Sequence, residues 1–216
     1  MKEALEVTGV VVKASPYREF DKRLEILTRE RGRITAFVRG ARRPSSPHLA
    51  AANPFVFGRF SVFEGKNAYT LVSEQVVDYF DGIAACQPGV YYGFYFLELA
   101  AFFTQEEEPA EEIVDLLYVA LKAVMKGQLP LTLIRRIVEL RLMVLNGTYA
   151  VPEVRGSMND SAYYALQYVA AAPVTRLFTF RLSDEAMADF ERETETHLDR
   201  HVTTVMKSRA LIDEVF

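Results

Sequence analysis

The runs Glu6-Val7-Thr8-Gly9-Val10-Val11-Val12, Leu24-Glu25-Ile26-Leu27-Thr28 and Ile34-Thr35-Ala36-Phe37-Val38 decide the fold. Each is short and rich in β-branched or alternating apolar residues, and Arg31-Gly32 supplies a tight turn between the second and third. Phe55 to Phe63 continues the pattern around Gly58, which reads as a bulge or sharp bend. Gly65-Lys66-Asn67 then turns the chain into Tyr69-Thr70-Leu71-Val72 and on through Gln75 to Phe80. Five strands within the first 80 residues match a small Greek-key barrel, the OB-fold. The Pro- and Ala-rich stretch from Pro44 to Pro54 is expected to hold a short helix between the third and fourth strands. An SH3-like barrel has nearly the same strand count, and the helical insertion favours the OB-fold.

After Asp81-Gly82 the apolar period becomes that of a helix. Residues 89–104 are aromatic all round, as a central bundle helix would be. Pro109, acids at 111 and 112 and a closing Gly127 frame a second helix with Ile113, Leu116, Leu117, Ala120, Leu121 and Val124 on one stripe. Pro130 opens a third, ending before Asn146-Gly147. Asp160 can cap a fourth that stops before Pro173, Ser183 starts a long polar fifth over about 184–204, and a short sixth follows. The expected class is α+β, with residues 1–80 as an OB-fold domain and 81–216 as a helical domain.

Composition narrows the function. The chain has 216 residues, a formal charge of −4 and a single cysteine, Cys86. A lone cysteine excludes an intrachain disulfide framework and a four-thiolate zinc site, and fits a reducing compartment. The N-terminus lacks a signal-peptide layout, and the longest apolar run, residues 90–103, is too short to span a bilayer and contains Glu98. A cytoplasmic, nucleoid-associated protein with no membrane partner is expected. The average charge conceals an asymmetry: residues 1–80 carry 13 bases against 9 acids, residues 81–216 carry 12 against 20. Within 13–43 the ratio is ten to four. A basic module on an acidic body is what a polyanion would meet.

The basic segment also carries a resemblance. Tyr17-Arg18-Glu19-Phe20-Asp21-Lys22-Arg23-Leu24, then Thr28, Arg31-Gly32-Arg33, and Val38-Arg39-Gly40-Ala41-Arg42-Arg43 ending in Ser45-Ser46 resembles the RecO family of bacterial recombination mediators. The shared features are a Y-x-E-x-D pattern near the end of strand one, a threonine-then-glycine turn, and a G-A-R stretch after strand three. The resemblance reappears at His197-Leu198 and at Met206-Lys207-Ser208-Arg209. It implies an N-terminal OB-fold and a helical C-terminal domain. It further implies binding of single- and double-stranded DNA, annealing of complementary strands, and, with the partner RecR, assistance to RecA in displacing single-strand-binding protein. Family members are not enzymes. Many carry a four-cysteine zinc module after the third helix, where this chain has only Gly147 to Gly156 without a cysteine.

The chemistry of the residues agrees with that picture. Phosphates dominate nucleic-acid affinity, so exposed Lys and Arg on one face are the residues to find. Arg39, Arg42 and Arg43 follow strand three, where an OB barrel presents its binding face. Lys22 and Arg23 at the entry to strand two, Arg31 and Arg33 at the hairpin, and Arg59 beside the strand-four bend are further candidates. Tyr17, Phe20, Phe37 and Tyr69 are candidate stacking platforms, although aromatics in small barrels are usually core. In the helical part, the resemblance implies a groove for the acidic, apolar C-terminal tail of single-strand-binding protein. Lys122, Lys126, Arg135, Arg136 and Arg141 flank the turn at Gly127 to Pro130 and are the cations offered to it; ordinary surface charges are the alternative.

Other patterns carry less. Glu193, His197 and His201 recur at helical spacing, which can hold a metal, but HLDRH is not the H-E-x-x-H arrangement and a solvated polar face explains it. Glu19 and Asp21 sit among Arg18, Lys22 and Arg23, which would keep them ionised in a turn rather than poised for acid/base work. No phosphate loop or nucleophile elbow is present. The expectation is therefore no catalytic residue, no metal and no cofactor. A protein-binding adaptor built from the same barrel and bundle is the alternative reading, and a metal-dependent nuclease around His197 and His201 a third.

Overall fold

The computed structural model describes residues 4–215, the last of them without its side chain. Five strands, β1 (Leu5–Tyr17), β2 (Asp21–Thr28), β3 (Gly32–Val38), β4 (Phe57–Glu64) and β5 (Tyr69–Asp78), form a closed barrel in the order β1-β2-β3-β5-β4. Among the described residues six α-helices follow: α1 (Gly89–Phe103), α2 (Glu111–Lys126), α3 (Leu131–Leu145), α4 (Asp160–Ala171), α5 (Asp184–His201) and α6 (Lys207–Val215). The class is α+β, an OB-type barrel followed by helices, as the strand pattern implied.

Closure depends on β1, which is long enough to pair with β2 through its C-terminal half and with β4 through its N-terminal half. A bulge between Val11 and Lys13 re-aims the strand between its two partners. At Gly9 the β2 backbone approaches so closely that a Cβ would lie 2.1 Å from the Leu27 carbonyl oxygen. A short parallel contact, Ala36 with Tyr69 and Phe37 with Thr70, seals β3 to β5. Alternate residues point inward, so Val7, Val11, Leu24, Ile26, Ile34, Ala36, Phe60 and Val62 fill the barrel. Outward on β3 stand Arg33, Thr35 and Phe37, opposite Leu27, Glu25 and Arg23 of β2.

The stretch from Pro44 to Pro54 holds no helix. It is a chain of turns closed by single backbone bonds, such as Ser46 N–H to Arg43 O and Ala52 N–H to His48 O. Pro44, Pro47 and Pro54 each lack the N–H that a helical ladder needs, which leaves only turns.

The chain divides into two compact units: one runs to Asp81 and also includes Thr104–Val114, the other comprises Gly82–Phe103 and everything from Asp115 onward. In the first unit, the acidic strap before α2 lies along the β2–β3 hairpin. Arg33 N–H bonds Gln105 O, Glu107 N–H bonds Arg31 O, and Ala110 N–H bonds Arg29 O. In the second, α3 packs against α1, α4 and α5, and α6 packs on α1. Asn159 caps α4 and Ser183 caps α5, each side chain accepting an N–H from the first turn. No described helix is long and apolar enough to cross a membrane.

Candidate nucleic-acid interface

The outer surface around the β1–β2 turn gathers the charge. Arg18 in that turn and Arg39 and Arg43 after β3 line one open pocket of ≈ 550 Å³, together with Asp21 and Gly40. Two backbone links hold the loops together: Asp21 Oδ1 accepts the Gly40 N–H at 2.8 Å, and Phe20 O accepts the Arg42 N–H at 2.9 Å. Gly40 has φ +66°, a left-handed conformation that favours glycine and reverses the chain here. The Arg42 guanidinium also donates to Glu19 O at 3.0 Å, which fixes it at the rim. Among the described residues, Arg18, Arg39, Arg42 and Arg43 are exposed and form no ion pair. Four unneutralised guanidiniums on one patch make a strong anion-attracting surface.

Aromatic rings stand beside two of the pocket's arginines. Tyr17 and Phe37 lie 4.5 Å apart between centroids, and the Arg18 guanidinium sits 5.3 Å from the Tyr17 ring centre. The Arg43 guanidinium sits 5.0 Å from the Phe20 ring centre. Tyr17 and Phe20 remain 37% and 40% exposed. Sequence reading had Arg18 only as a neighbour of the acids; its place in a three-residue hairpin tip between two strands was the available signal.

The remaining barrel candidates are placed differently. Lys22 Nζ donates to Ala52 O at 2.7 Å and to Asn53 Oδ1 at 2.9 Å, pinning β2 to the long loop. Burial, and then the nearby Arg42 charge, lower its pKa. Arg23 lies on the outer face with Glu25 at 3.9 Å and Thr35 Oγ1 at 3.4 Å. Arg31 pairs with Glu107 of the strap at 2.7 Å, and Glu107 also accepts from the Tyr69 hydroxyl at 3.0 Å. That pairing raises the Arg31 pKa and, through the hydrogen bonds from Arg31 and Tyr69, lowers that of Glu107. Arg33 lines a separate pocket with Glu64, Lys66, Tyr69 and Glu107. Arg59 is exposed on β4. Of the eight cations, Arg39, Arg42 and Arg43 form an open cluster after β3, Arg23, Arg31 and Arg33 lie near acids, Lys22 is tied to the long loop, and Arg59 is exposed on β4. Tyr69 is buried, so it offers no platform.

The second unit separates its five cations as well. Lys122 and Lys126 border a groove of ≈ 360 Å³ whose lining includes Val119, Ala123, Leu129 and Phe178. Arg181, which sequence reading did not single out, donates to the Gln128 carbonyl beside it. Arg135, Arg136 and Arg141 do not edge this groove; they are 5%, 3% and 7% exposed. Arg135 and Arg136 grip the fully buried Glu139 at 2.9 Å each, and reach Asp213 and Glu191 at 2.6 Å. Tyr95 completes the group by donating to Glu139 at 2.7 Å. Burial opposes the two arginine charges, but Glu139 and the outer acids more than offset it and raise both pKa values. Arg141 donates to the carbonyls of Val169 and Ala170, closing the end of α4. These three arginines hold the helices together, since α3 is buried on nearly every side.

His197 stacks edge-on against Tyr149, 4.9 Å between centroids, and faces the Glu193 carbonyl at 3.0 Å. Among the described residues no group of three His, Cys, Asp or Glu side chains is placed to hold a metal ion. The segment after α3, free of cysteine, is secured by Tyr149 donating to Glu193 at 3.2 Å and by Tyr163 donating to Pro152 O at 2.9 Å.

Comparison with known proteins agrees with this architecture. Residues 1–80 match the family model "Recombination protein O N terminal", and residues 89–151 match "Recombination protein O C terminal". A DNA repair protein RecO from Shouchella clausii is 25% identical over 96% of this chain and 93% of its own length. Those from Alkaliphilus metalliredigens and Caldicellulosiruptor saccharolyticus are 32% and 31% identical over 66% and 67% of this chain. These two alignments span 58% and 59% of the relatives' own lengths. With one family's two models matching the barrel and the helices in turn, the chain belongs to the RecO family, recombination protein O.

Proposed function

We propose that this protein acts in DNA repair as a non-enzymatic recombination mediator. It binds single- and double-stranded DNA on the barrel and anneals complementary strands. With RecR, it helps RecA load onto DNA coated with single-strand-binding protein. The DNA repair role is supported by the names borne by its relatives. One observation carries the binding: four exposed guanidiniums, Arg18, Arg39, Arg42 and Arg43, without an ion-pair partner among the described residues, gather about the β1–β2 loop, an element OB-folds use for oligonucleotides. Annealing needs the mutual repulsion of two phosphate chains to be neutralised in one place, and such a cluster does that. The groove beside Lys122 and Lys126 suits an acidic, apolar tail, with cations at the rim and apolar side chains on the floor.

The test is strand annealing of complementary oligonucleotides at moderate salt, on bare DNA and on DNA coated with single-strand-binding protein, with and without that protein's tail. Acceleration on bare DNA, and on coated DNA only when the tail is present, is expected. Lys126→Glu should abolish the tail dependence alone. No acceleration on bare DNA would remove the DNA reading and leave the adaptor.

A further inference from the structure

The pocket between the β1–β2 turn and the loop after β3 has more structure than a patch of charge. Its two rim arginines each serve twice. Arg18 lines the pocket and covers Tyr17, and Arg43 lines the pocket and covers Phe20. Each of these two pocket-lining arginines therefore has an aromatic ring beside it. Tyr17 and Phe20 are three positions apart on one hairpin tip, a reach of at most about 10 Å. The tip is held in an uncommon shape: Arg18 has φ +50°, although it is neither glycine nor asparagine. Such a conformation costs on the order of 1 kcal/mol or more and persists where neighbouring contacts over-determine it, often where a ligand is gripped. Here those contacts are the Asp21 bond to the Gly40 N–H and the Arg42 bonds to Phe20 O and Glu19 O.

We infer that this pocket is a one-step site for an unpaired DNA strand, in which Arg18, Arg39 and Arg43 take one phosphate while its two flanking bases stack on the Tyr17–Phe37 pair and on Phe20. The inference rests on the reading of this face as the DNA interface and adds a substrate class to it. Both platforms are needed for the selectivity. In a duplex every base face is covered by its neighbours, so a duplex can offer the arginines its phosphates but can offer the rings nothing. A single strand can splay two successive bases and gain both contacts, independent of sequence. Asp21 is the one acid in the pocket, and its bond to Gly40 turns one carboxylate oxygen away from an incoming phosphate.

Phe20→Leu removes the ring while keeping apolar bulk beside Arg43; Phe20→Trp enlarges the ring. Binding of the full-length variants is measured across salt concentrations to an oligothymidylate, to an oligonucleotide of equal length with every base removed, and to a blunt duplex. Phe20→Leu should weaken oligothymidylate binding about 5- to 150-fold, from ~1–3 kcal/mol per stacked base. It should leave the salt slope, the base-free strand and the duplex unchanged, and Phe20→Trp should restore or tighten the contact. Arg43→Gln should lower the salt slope on all three probes. Equal weakening on all three probes by Phe20→Leu, or no rescue by Phe20→Trp, overturns the stacking site while the DNA face stands. An oligothymidylate slope that ignores Arg43→Gln overturns the DNA face itself and the site with it.

Discussion

Replacing Arg18, Arg39, Arg42 and Arg43 together with glutamine should flatten the salt dependence of single-strand binding, and the structure sets by how much. All four are exposed and have no ion-pair partner among the described residues, so each keeps its charge for one phosphate. A cation that neutralises a phosphate of a single strand contributes ~0.7 to the log–log slope, giving a loss of ~2.8 for four. Between 50 and 200 mM salt, the fourfold change would then cost the native protein roughly 50-fold more affinity than it costs the variant. Arg31 supplies the internal contrast. Its charge is answered by Glu107 at 2.7 Å, so Arg31→Gln should leave the slope nearly unchanged. Glu107→Gln should steepen it by up to ~0.7 by liberating Arg31. The assay is fluorescence anisotropy of a labelled oligothymidylate over a salt series, with circular dichroism as a control for folding. Glutamine keeps a donor for the Glu19 carbonyl, so the loop contact that Arg42 makes need not be lost. A slope untouched by the quadruple change, or lowered as much by Arg31→Gln, would refute the division of the barrel's cations into open and neutralised groups.

Three further outcomes concern the scaffold. Glu139→Gln leaves Arg135 and Arg136 buried with their shared carboxylate gone and should cost about 3–5 kcal/mol in urea unfolding. Gly9→Ala drives a methyl group against the Leu27 carbonyl, a backbone atom that cannot swing aside, and should cost about 3 kcal/mol on the same measurement. Asp189 accepts the Asn159 N–H at 2.7 Å, and this bond, followed by Arg192, lowers its pKa. Its stabilising effect is therefore present above the ordinary carboxylate range and lost as pH falls through the lowered value. Asp189→Asn should melt below the native protein at neutral pH, and the two melting curves should converge in acid; a gap that persists in acid would contradict this.

How much of this was legible in the sequence depended on how local the cause was. Leu24, Ile26, Ile34, Ala36 and Val38 alternate, and alternation is a property of neighbours, so the strands could be read. The extension of β1 through Pro16 could not, because proline reads as a strand breaker. At the strand's end, opposite Lys22, its missing N–H costs little. The cluster of Arg39, Arg42 and Arg43 followed from composition plus position. The neutralisation of Arg31 did not, since Glu107 lies 76 residues away and reaches it through a strap with no hydrophobic signature. Arg135, Arg136 and Arg141 were misleading for the same reason. On a helix they look like surface charges, and only the arrival of α4, α5 and α6 buries them.

The formal charge of −4 looks like an obstacle to holding a polyanion, and the pairing pattern removes it. Charges separated by more than a Debye length, about 8 Å at physiological salt, scarcely feel one another across solvent. What a phosphate meets is thus the local balance, not the total. In the second unit Glu139, Glu191, Glu195, Asp199 and Asp213 are engaged by Arg135, Arg136 and Arg209, with distances from 2.6 to 3.5 Å. Three arginines thus answer part of that acidic charge where it arises. In the barrel unit, Glu107 cancels Arg31 at one end of the outer face, while the opposite end keeps four guanidiniums without an ion-pair partner among the described residues. Neutralising one end and leaving the other bare gives the face a direction, and the DNA binding proposed here would centre on the β1–β2 turn and fall away toward the β2–β3 hairpin. A net surplus of acids is therefore compatible with the proposed DNA face, because the charge close to a phosphate decides what it meets.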